Sequence, residues 1–222
     1  NGMALDSRIG SKFLNSGIGY GGSCFPKDVK ALIQMGIDNN QPMTLVSEVD
    51  KINEWQQNWF ANKILNFYGK KIQGKKIGIW GLSFKPETDD IRCAPAINII
   101  KKLLKSGASI IAYDPVAMEN MKSEFGNSIS FASDAKSVLD QSDGLIVLTE
   151  WKEFVAFPID KLKSIKDKVI FDGRNIFDPK KLTELNIIHV TVGRDIVCKN
   201  KDIVYPSWQG SRRSTSESSV SS

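Results

Sequence analysis

From Thr44 to Tyr68 the apolar residues Leu45, Val49, Ile52, Trp55 or Trp59, Phe60, Ile64 and Phe67 recur at threes and fours. That period sets them on one stripe of an amphipathic helix, and Gly69 supplies its stop. A helix of ~24 residues runs ~36 Å. Such a length exceeds what one small core can use, so this helix is expected to span domains or to line a dimer interface. A shorter helix is expected to begin at about Pro26. From Lys75 to Gly193 the pattern changes to short apolar runs at 76–84, 109–115, 128–133, 144–149, 168–173 and 187–193. Amphipathic segments at 95–106, 117–125, 134–141, 158–165 and 179–186 separate them. Strand, helix, strand at that spacing predicts a parallel sheet with helices on both faces. Continuously apolar strands agree, because a parallel sheet is buried on both sides. The expected fold class is α/β, a long central helix followed by a doubly wound, mostly parallel Rossmann-like sheet.

Texture divides the chain further. Residues 1–28 hold five glycines between Gly10 and Gly22 and read mostly as loop. Residues 29–72 form the central helical region, 73–208 the sheet domain, and 209–222 a tail with seven serines in its last twelve residues. The tail has almost nothing to bury and is expected to be disordered, or in part an expression remnant. Opening without Met into a motif-rich segment, the chain is expected to be part of a longer protein.

Charge and cysteines narrow the class. Thirty Lys and Arg against twenty-five Asp and Glu leave a formal +5, and no basic run exceeds two residues, so nucleic-acid binding is not expected. No apolar stretch approaches the ~18 residues of a membrane span. Cys24, Cys93 and Cys198 form no CxxC pair, and an odd count without an export signal suits a reducing cytoplasm. The single histidine, His189, lies in the apolar run NIIHVTV and reads as one position of a buried strand, which leaves a metal centre little to draw on.

Ligands bind beyond the carboxyl ends of the strands in an open α/β sheet. Here the first strand ends in GLSFKPETDD, which is neither GxGxxG nor a Walker A loop. Asp114 closes the second strand, either as a ribose-binding acid or as part of an Asp-Pro turn. Lys85, Arg92 and Arg174 stand at or just past strand ends, where cations suit phosphate or carboxylate partners. Phe84 suits a stacked base or a place in the core. The densest signal is GIGYGGSCFPKD, residues 17–28, with four glycines in six positions ahead of a cysteine. Glycines there permit close ligand approach. A cysteine at the start of a helix, with Lys27 nearby, favours a nucleophilic thiolate over a small buried thiol. Asp28, one helical turn on, is placed to orient or deprotonate an attacking water.

Five ordered blocks carry a resemblance: RIGSKFLNSGIGYGGSCFPKD, IGIWGLSFKPETDDIRCAPA, AYDPVA, LTEWKEF and FDGRNIFDP. Over residues 5 to about 195 the chain resembles the C-terminal half of the UDP-glucose/GDP-mannose dehydrogenase family, and CFPKD looks like the UDP-glucose branch. The resemblance implies oxidation of a nucleotide-sugar C6 alcohol to a carboxylate, UDP-glucuronate in that branch, in two hydride transfers to NAD. Cys24 is implied as the group that forms a thiohemiacetal and then a thioester, and Asp28 as the group that assists its hydrolysis. Phe13, Leu14, Asn15, Gly19, Tyr20 and Gly21 match the loop that wraps the nucleotide-sugar. Phe84, Lys85 and Arg174 match substrate contacts, and Arg8 matches an arginine that reaches the neighbouring subunit's pocket. Lys27 and Arg92 fall on the NAD side, and a homodimer is implied. Cys93 and Asn15 depart from the commoner Glu or Ser and Lys. The family's GxGxxG domain has no counterpart here, so this chain alone is not expected to turn over. A GDP-mannose enzyme, or a UDP-sugar-binding and dimerisation module without activity, are the alternatives.

Overall fold

A computed structural model describes residues 2–11 and 14–194. Phe13, Cys198 and the serine-rich tail lie outside the described residues. Six strands, β1 (Lys76–Trp80), β2 (Ser109–Tyr113), β3 (Ser130–Phe131), β4 (Gly144–Val147), β5 (Val169–Asp172) and β6 (Ile188–Thr191), form one sheet. Their order is β3-β2-β1-β4-β5-β6, and every pairing is parallel. Ile77 of β1 sits between Ile110 of β2 and Gly144 of β4. The chain reverses its winding between β1 and β4, and such a switch point opens a crevice at the carboxyl ends of the two strands.

The two faces are covered by different helices. On one lie α2 (Thr44–Tyr68), α3 (Pro95–Lys105) and α4 (Met118–Phe125), which contribute Phe60, Ile64, Ile99, Leu103 and Met121 to a buried cluster with Ile77 and Ile79. On the other lie α5 (Ala135–Gln141), a 3-10 helix at Ile159–Ser164 and α7 (Pro179–Glu184), which bury Val138, Leu162 and Leu182 with Trp80 and Leu145. The sequence gives the reasons for the helix ends. Asp134 accepts the Ser137 N–H at 2.8 Å and Asp178 the Lys180 N–H at 2.9 Å, each satisfying a donor that the first turn leaves free. Pro95 and Pro179 occupy first-turn positions, where a missing N–H costs nothing. Gly69, at φ 54°, ends α2.

The expected elements are present, with differences at their edges. The run 76–84 is a strand only to Trp80, because Gly81, Leu82 and Ser83 are buried in a turn that continues the apolar pattern. The run 128–133 yields two strand residues, paired on one side only, with β2. Segment 158–165 is a 3-10 helix instead of an α-helix, following Pro158. The single turn α6 (Lys152–Val155) has too few residues to show a period. The helix expected at about Pro26 is α1 (Phe25–Asp38). Among the described residues no helix is long and apolar enough to cross a membrane.

The apolar stripe of α2 divides in two. Phe60, Ala61, Ile64 and Tyr68 are buried against the sheet, whereas Leu45, Val49, Ile52 and Trp55 are exposed. Phe25, Leu32, Met35 and Ile37 of α1 are exposed as well.

Candidate active site

Three segments meet at the carboxyl ends of β1, β4 and β5, and the glycine-rich loop lies across them. From the α2 side, Asn53 holds the loop in a two-bond clamp. Its Oδ1 accepts the Tyr20 N–H at 2.8 Å and its Nδ2 donates to the Tyr20 carbonyl at 3.1 Å. One turn on, Gln56 Nε2 donates to the Gly17 carbonyl at 2.8 Å. Gly19, at φ 104°, lies so close that an added Cβ would stand 2.6 Å from Asn53 Oδ1. From the β1 side, the Gly22 N–H donates to the Arg92 carbonyl at 2.8 Å. A Cβ on Gly21 would run into the Cys93 carbonyl, and one on Gly22 would meet the Phe84 ring at 2.8 Å. The loop backbone therefore touches the segment 84–93 at two successive glycines, an approach that any side chain would block. From the β5 side, Asn175 Nδ2 donates to Ser16 Oγ at 2.8 Å.

This docking delivers Cys24 to the rim of the crevice. Cys24 is the N-cap residue of α1, and its carbonyl accepts the Asp28 N–H at 2.8 Å. Its side chain is exposed, as are those of Lys27 and Asp28. Lys27 Nζ lies 3.5 Å from Asp28 Oδ1. A thiol at a helix N-terminus meets the positive end of the helix dipole. Ser23 Oγ lies 3.7 Å from Cys24 Sγ. Arg92 adds a second positive group. Its guanidinium is exposed and grips Asp90 through both oxygens, with Nη2 at 2.8 Å and Nε at 3.0 Å. The hydrogen bonds from Arg92 hold the Asp90 carboxyl below its ordinary range, and Asp90 in turn holds Arg92 in its charged form. Cys24 and Cys93 both lie within the electrostatic reach of Arg92. Tyr20 stands edge-on to Phe25 with ring centroids 4.6 Å apart. Burial, followed by the nearby Asp50, raises its phenol above the ordinary range.

Arg174 follows β5 on the far wall. Its side chain reaches Glu150, past the end of β4, in a two-pronged ion pair: Nε bonds Oε2, and Nη2 bonds Oε1 at 2.7 Å. Nη1 lies 2.9 Å from where a Cβ of Gly17 would be, so it faces the glycine loop. Beneath it, Asp172 accepts the Arg174 N–H at 3.2 Å and the Phe177 N–H at 3.0 Å. His189 is a fully buried β6 residue whose Nε2 lies 3.2 Å from Asp172 Oδ2. A carboxylate only accepts, so Nε2 carries the proton in that contact.

The expected site residues fall into separate groups. Gly19, Tyr20, Gly21, Cys24, Phe84, Arg92 and Arg174 gather around the crevice through the contacts above. Lys27 and Asp28 stand on the first turn of α1 beside Cys24. Phe84 is half-buried under Gly22, and Lys85 Nζ rides 5.4 Å from its ring centre. Leu14 and Asn15 are exposed in the incoming loop. Arg8 pairs within its own segment, Nη2 to Asp6 Oδ2 at 2.6 Å.

Asp114 resolves as a structural hub, the turn-forming alternative. Its Oδ2 accepts from Leu82 N at 2.7 Å, Ser83 N at 3.2 Å and Trp151 Nε1 at 3.1 Å, and its Oδ1 from Val116 N at 3.0 Å and Ala117 N at 2.9 Å. Both oxygens are spent inside the fold, so the turn after β1 offers neither the glycines nor the acid of a dinucleotide site. Asn53, Gln56 and Glu150 have no role in the sequence reading. Polar residues interrupting the apolar stripe of α2 were the available signal for the first two. For Glu150 it was an acid immediately past an apolar strand.

Comparison with known proteins places these residues in context. The UDP binding domain of the UDP-glucose/GDP-mannose dehydrogenase family matches residues 78–179, and the central domain of the same family matches residues 1–55. The UDP-glucose 6-dehydrogenase TuaD of Bacillus subtilis is 39% identical over 198 residues, 89% of this chain and 43% of its own length. AglM, a UDP-glucose 6-dehydrogenase of Haloferax volcanii, is 41% identical over 175 residues, 78% of this chain and 40% of its own. Among solved structures, a UDP-glucose dehydrogenase from Pyrobaculum islandicum aligns with a TM-score of 0.73 at 32% identity. That alignment covers 86% of this chain and 41% of the other. A GDP-mannose dehydrogenase from Pseudomonas aeruginosa aligns with a TM-score of 0.62 at 26% identity, covering 73% and 38%. The chain thus spans less than half the length of the relatives it matches.

Proposed function

The chain belongs to the UDP-glucose/GDP-mannose dehydrogenase family, and from that premise we propose that it is the substrate-binding, nucleophile-bearing part of a UDP-glucose 6-dehydrogenase. The observation that carries the reading is Cys24. It is an exposed thiol at a helix N-terminus, held at a switch-point crevice by glycines that fit against the 84–93 segment. In the proposed reaction the C6 alcohol of the sugar becomes a carboxylate by loss of two hydrides in succession, for each of which one NAD, met at its edge by Lys27 and Arg92, would be the acceptor. The Cys24 sulfur adds to the C6 aldehyde as a thiohemiacetal, whose oxidation leaves a thioester. Water, guided by Asp28, cleaves that thioester to release the acid and restore the thiol.

Around the nucleophile, Leu14, Asn15, Gly19, Tyr20 and Gly21 are assigned to the wrapping of the nucleotide-sugar, with Phe13 outside the described residues. Phe84, Lys85 and Arg174 are assigned to its polar and stacking contacts. The sheet itself does not fit NAD, because the turn after β1 lacks the fingerprint and Asp114 is committed to internal bonds. Lys27 and Arg92, exposed on the Cys24 side, are the cations this chain offers to the cofactor's edge. Turnover by this chain alone is not expected on that account. We also assign the exposed stripe Leu45, Val49, Ile52 and Trp55 to contact with a second copy of the chain, where Arg8 would reach the partner's pocket.

Peptide-mapped alkylation near neutral pH tests the nucleophile. Cys24 is expected to react faster than Cys93 and to be protected by UDP-glucose. Equal, slow reaction of both thiols without protection would favour a binding module. A GDP-mannose enzyme shares this chemistry and differs in the base bound.

A further inference from the structure

The Arg174–Glu150 pair has a geometry that a simple cation site does not need. A guanidinium carries five N–H donors in a fixed fork, and a two-pronged carboxylate takes one edge of it. Here Nε and Nη2 are given to Glu150, and the arginine is mostly withdrawn from water at 18% side-chain exposure, while the carboxylate, at 38%, keeps one side open. That leaves Nη1, which faces Gly17 on the glycine loop. Both ends of the pair are anchored. Arg174 is pinned at its backbone by Asp172, and Glu150 follows Thr149, whose hydroxyl donates to the Ser83 carbonyl at 2.6 Å. The pair therefore ties the carboxyl ends of β4 and β5 into one wall of the crevice, facing the loop that comes to it from α2.

We infer that Glu150 is a positioning residue for Arg174: it aims Nη1 at the glycine loop and cancels the guanidinium charge, so that the pair takes a hydroxyl of the hexose and not the diphosphate. The inference rests on the proposed function, which makes Arg174 a substrate contact. Charge neutrality follows from the pairing itself, since a carboxylate bound through both oxygens offsets the arginine's single charge. Direction follows from the planarity of the guanidinium, because fixing one edge fixes where the remaining donors point. A hexose hydroxyl meeting Nη1 gains a directional hydrogen bond, whereas a phosphate would meet the carboxylate's charge just behind it.

Calorimetric titration of the 222-residue chain with UDP-glucose and with UDP, each at low and at moderate ionic strength, separates the possibilities. Glu150→Gln keeps the shape and removes the charge. It is expected to lower the preference for UDP-glucose over UDP about tenfold, the scale of one hydrogen bond to a charged group, and to make both bindings more salt-sensitive. Glu150→Asp keeps the charge but shortens the reach. It is expected to lose the preference without gaining salt sensitivity, an outcome that a purely structural ion pair would not produce. Arg174→Lys is expected to weaken UDP-glucose about tenfold with the salt dependence unchanged. If Glu150→Gln leaves both the preference and the salt dependence within twofold of the parent chain, or if Arg174→Lys flattens the salt dependence, the inference is wrong while the ligand site stands. If the parent chain binds neither ligand, the site reading fails and the inference falls with it.

Discussion

Gly21 and Gly22 set where the Cys24 thiol stands. Their backbone rests on the Cys93 carbonyl and the Phe84 ring with no room for a side chain, and the next two residues end at Cys24. Gly21→Ala must therefore push the loop off the 84–93 segment. We expect a loss of about 1–3 kcal/mol, the usual cost of overpacking, read by chemical denaturation, together with faster alkylation of Cys93 as its neighbour withdraws. Gly2→Ala, where an added carbon meets nothing within 4 Å, should change neither. An unchanged Gly21→Ala melt would show that this contact does not hold the loop. At this scale the sequence reveals residues whose role is local. The grouping of Cys24, Lys27 and Asp28 at the start of α1 is legible because all three lie within five positions. Asn53, Gln56 and Glu150 are not, because their partners are 33, 39 and 24 residues away. Such partnerships exist only after the sheet has brought the segments together.

The elements were more legible than their ends. Parallel strands buried on both faces leave long apolar runs, and a run of that kind does not mark where hydrogen bonding stops and a buried turn begins, as at Gly81–Ser83. The base of the sheet, opposite the crevice, shows how its strands are fastened. Asp143, just before β4, accepts the Lys76 N–H at 2.8 Å and pairs with Lys166 at 2.9 Å, and Lys75 bridges to Asp167 at 2.6 Å. Burial pushes the Asp143 carboxyl up, but Lys166, the Lys76 amide and Lys75 together outweigh it and leave it below its ordinary value. A depressed carboxylate contributes stability that is present above its unfolded value of about 3.9 and is lost as pH falls through the lower folded value. Asp143→Asn is accordingly expected to cost about 1–3 kcal/mol at neutral pH. The gap from the parent should close as the pH drops below about 4. Thermal melts across that range check it, and a gap that persists into acid would contradict the assignment.

The whole molecule joins a legible architecture to an exposed apolar stripe on α2. The order β3-β2-β1-β4-β5-β6 places the crevice between β1 and β4, and the glycine loop, α2 and the loop after β5 converge on it. That convergence could be expected from the fold class once the strands were placed, since ligands collect at switch points. The exposed stripe on α2 was expected to span domains or to line a dimer interface, and the sequence does not choose between them, because periodicity reports an apolar face without saying what covers it. We expect the chain to be a dimer in solution. Ile52→Glu should convert it to a monomer with its far-ultraviolet circular dichroism unchanged. Light scattering after size exclusion decides this, and a monomeric parent chain at micromolar concentration would contradict the assignment.

We propose that this chain carries a nucleotide-sugar site, and that its described residues form no dinucleotide site of their own. A thermal-shift titration of the chain with UDP-glucose, GDP-mannose and NAD, run side by side, decides this. A ligand that binds only the native state at a hundred times its Kd adds about 2.7 kcal/mol, a readily measured shift. We expect stabilisation by UDP-glucose above GDP-mannose and little by NAD. Stabilisation by NAD without either nucleotide-sugar, or by none of the three, would contradict it.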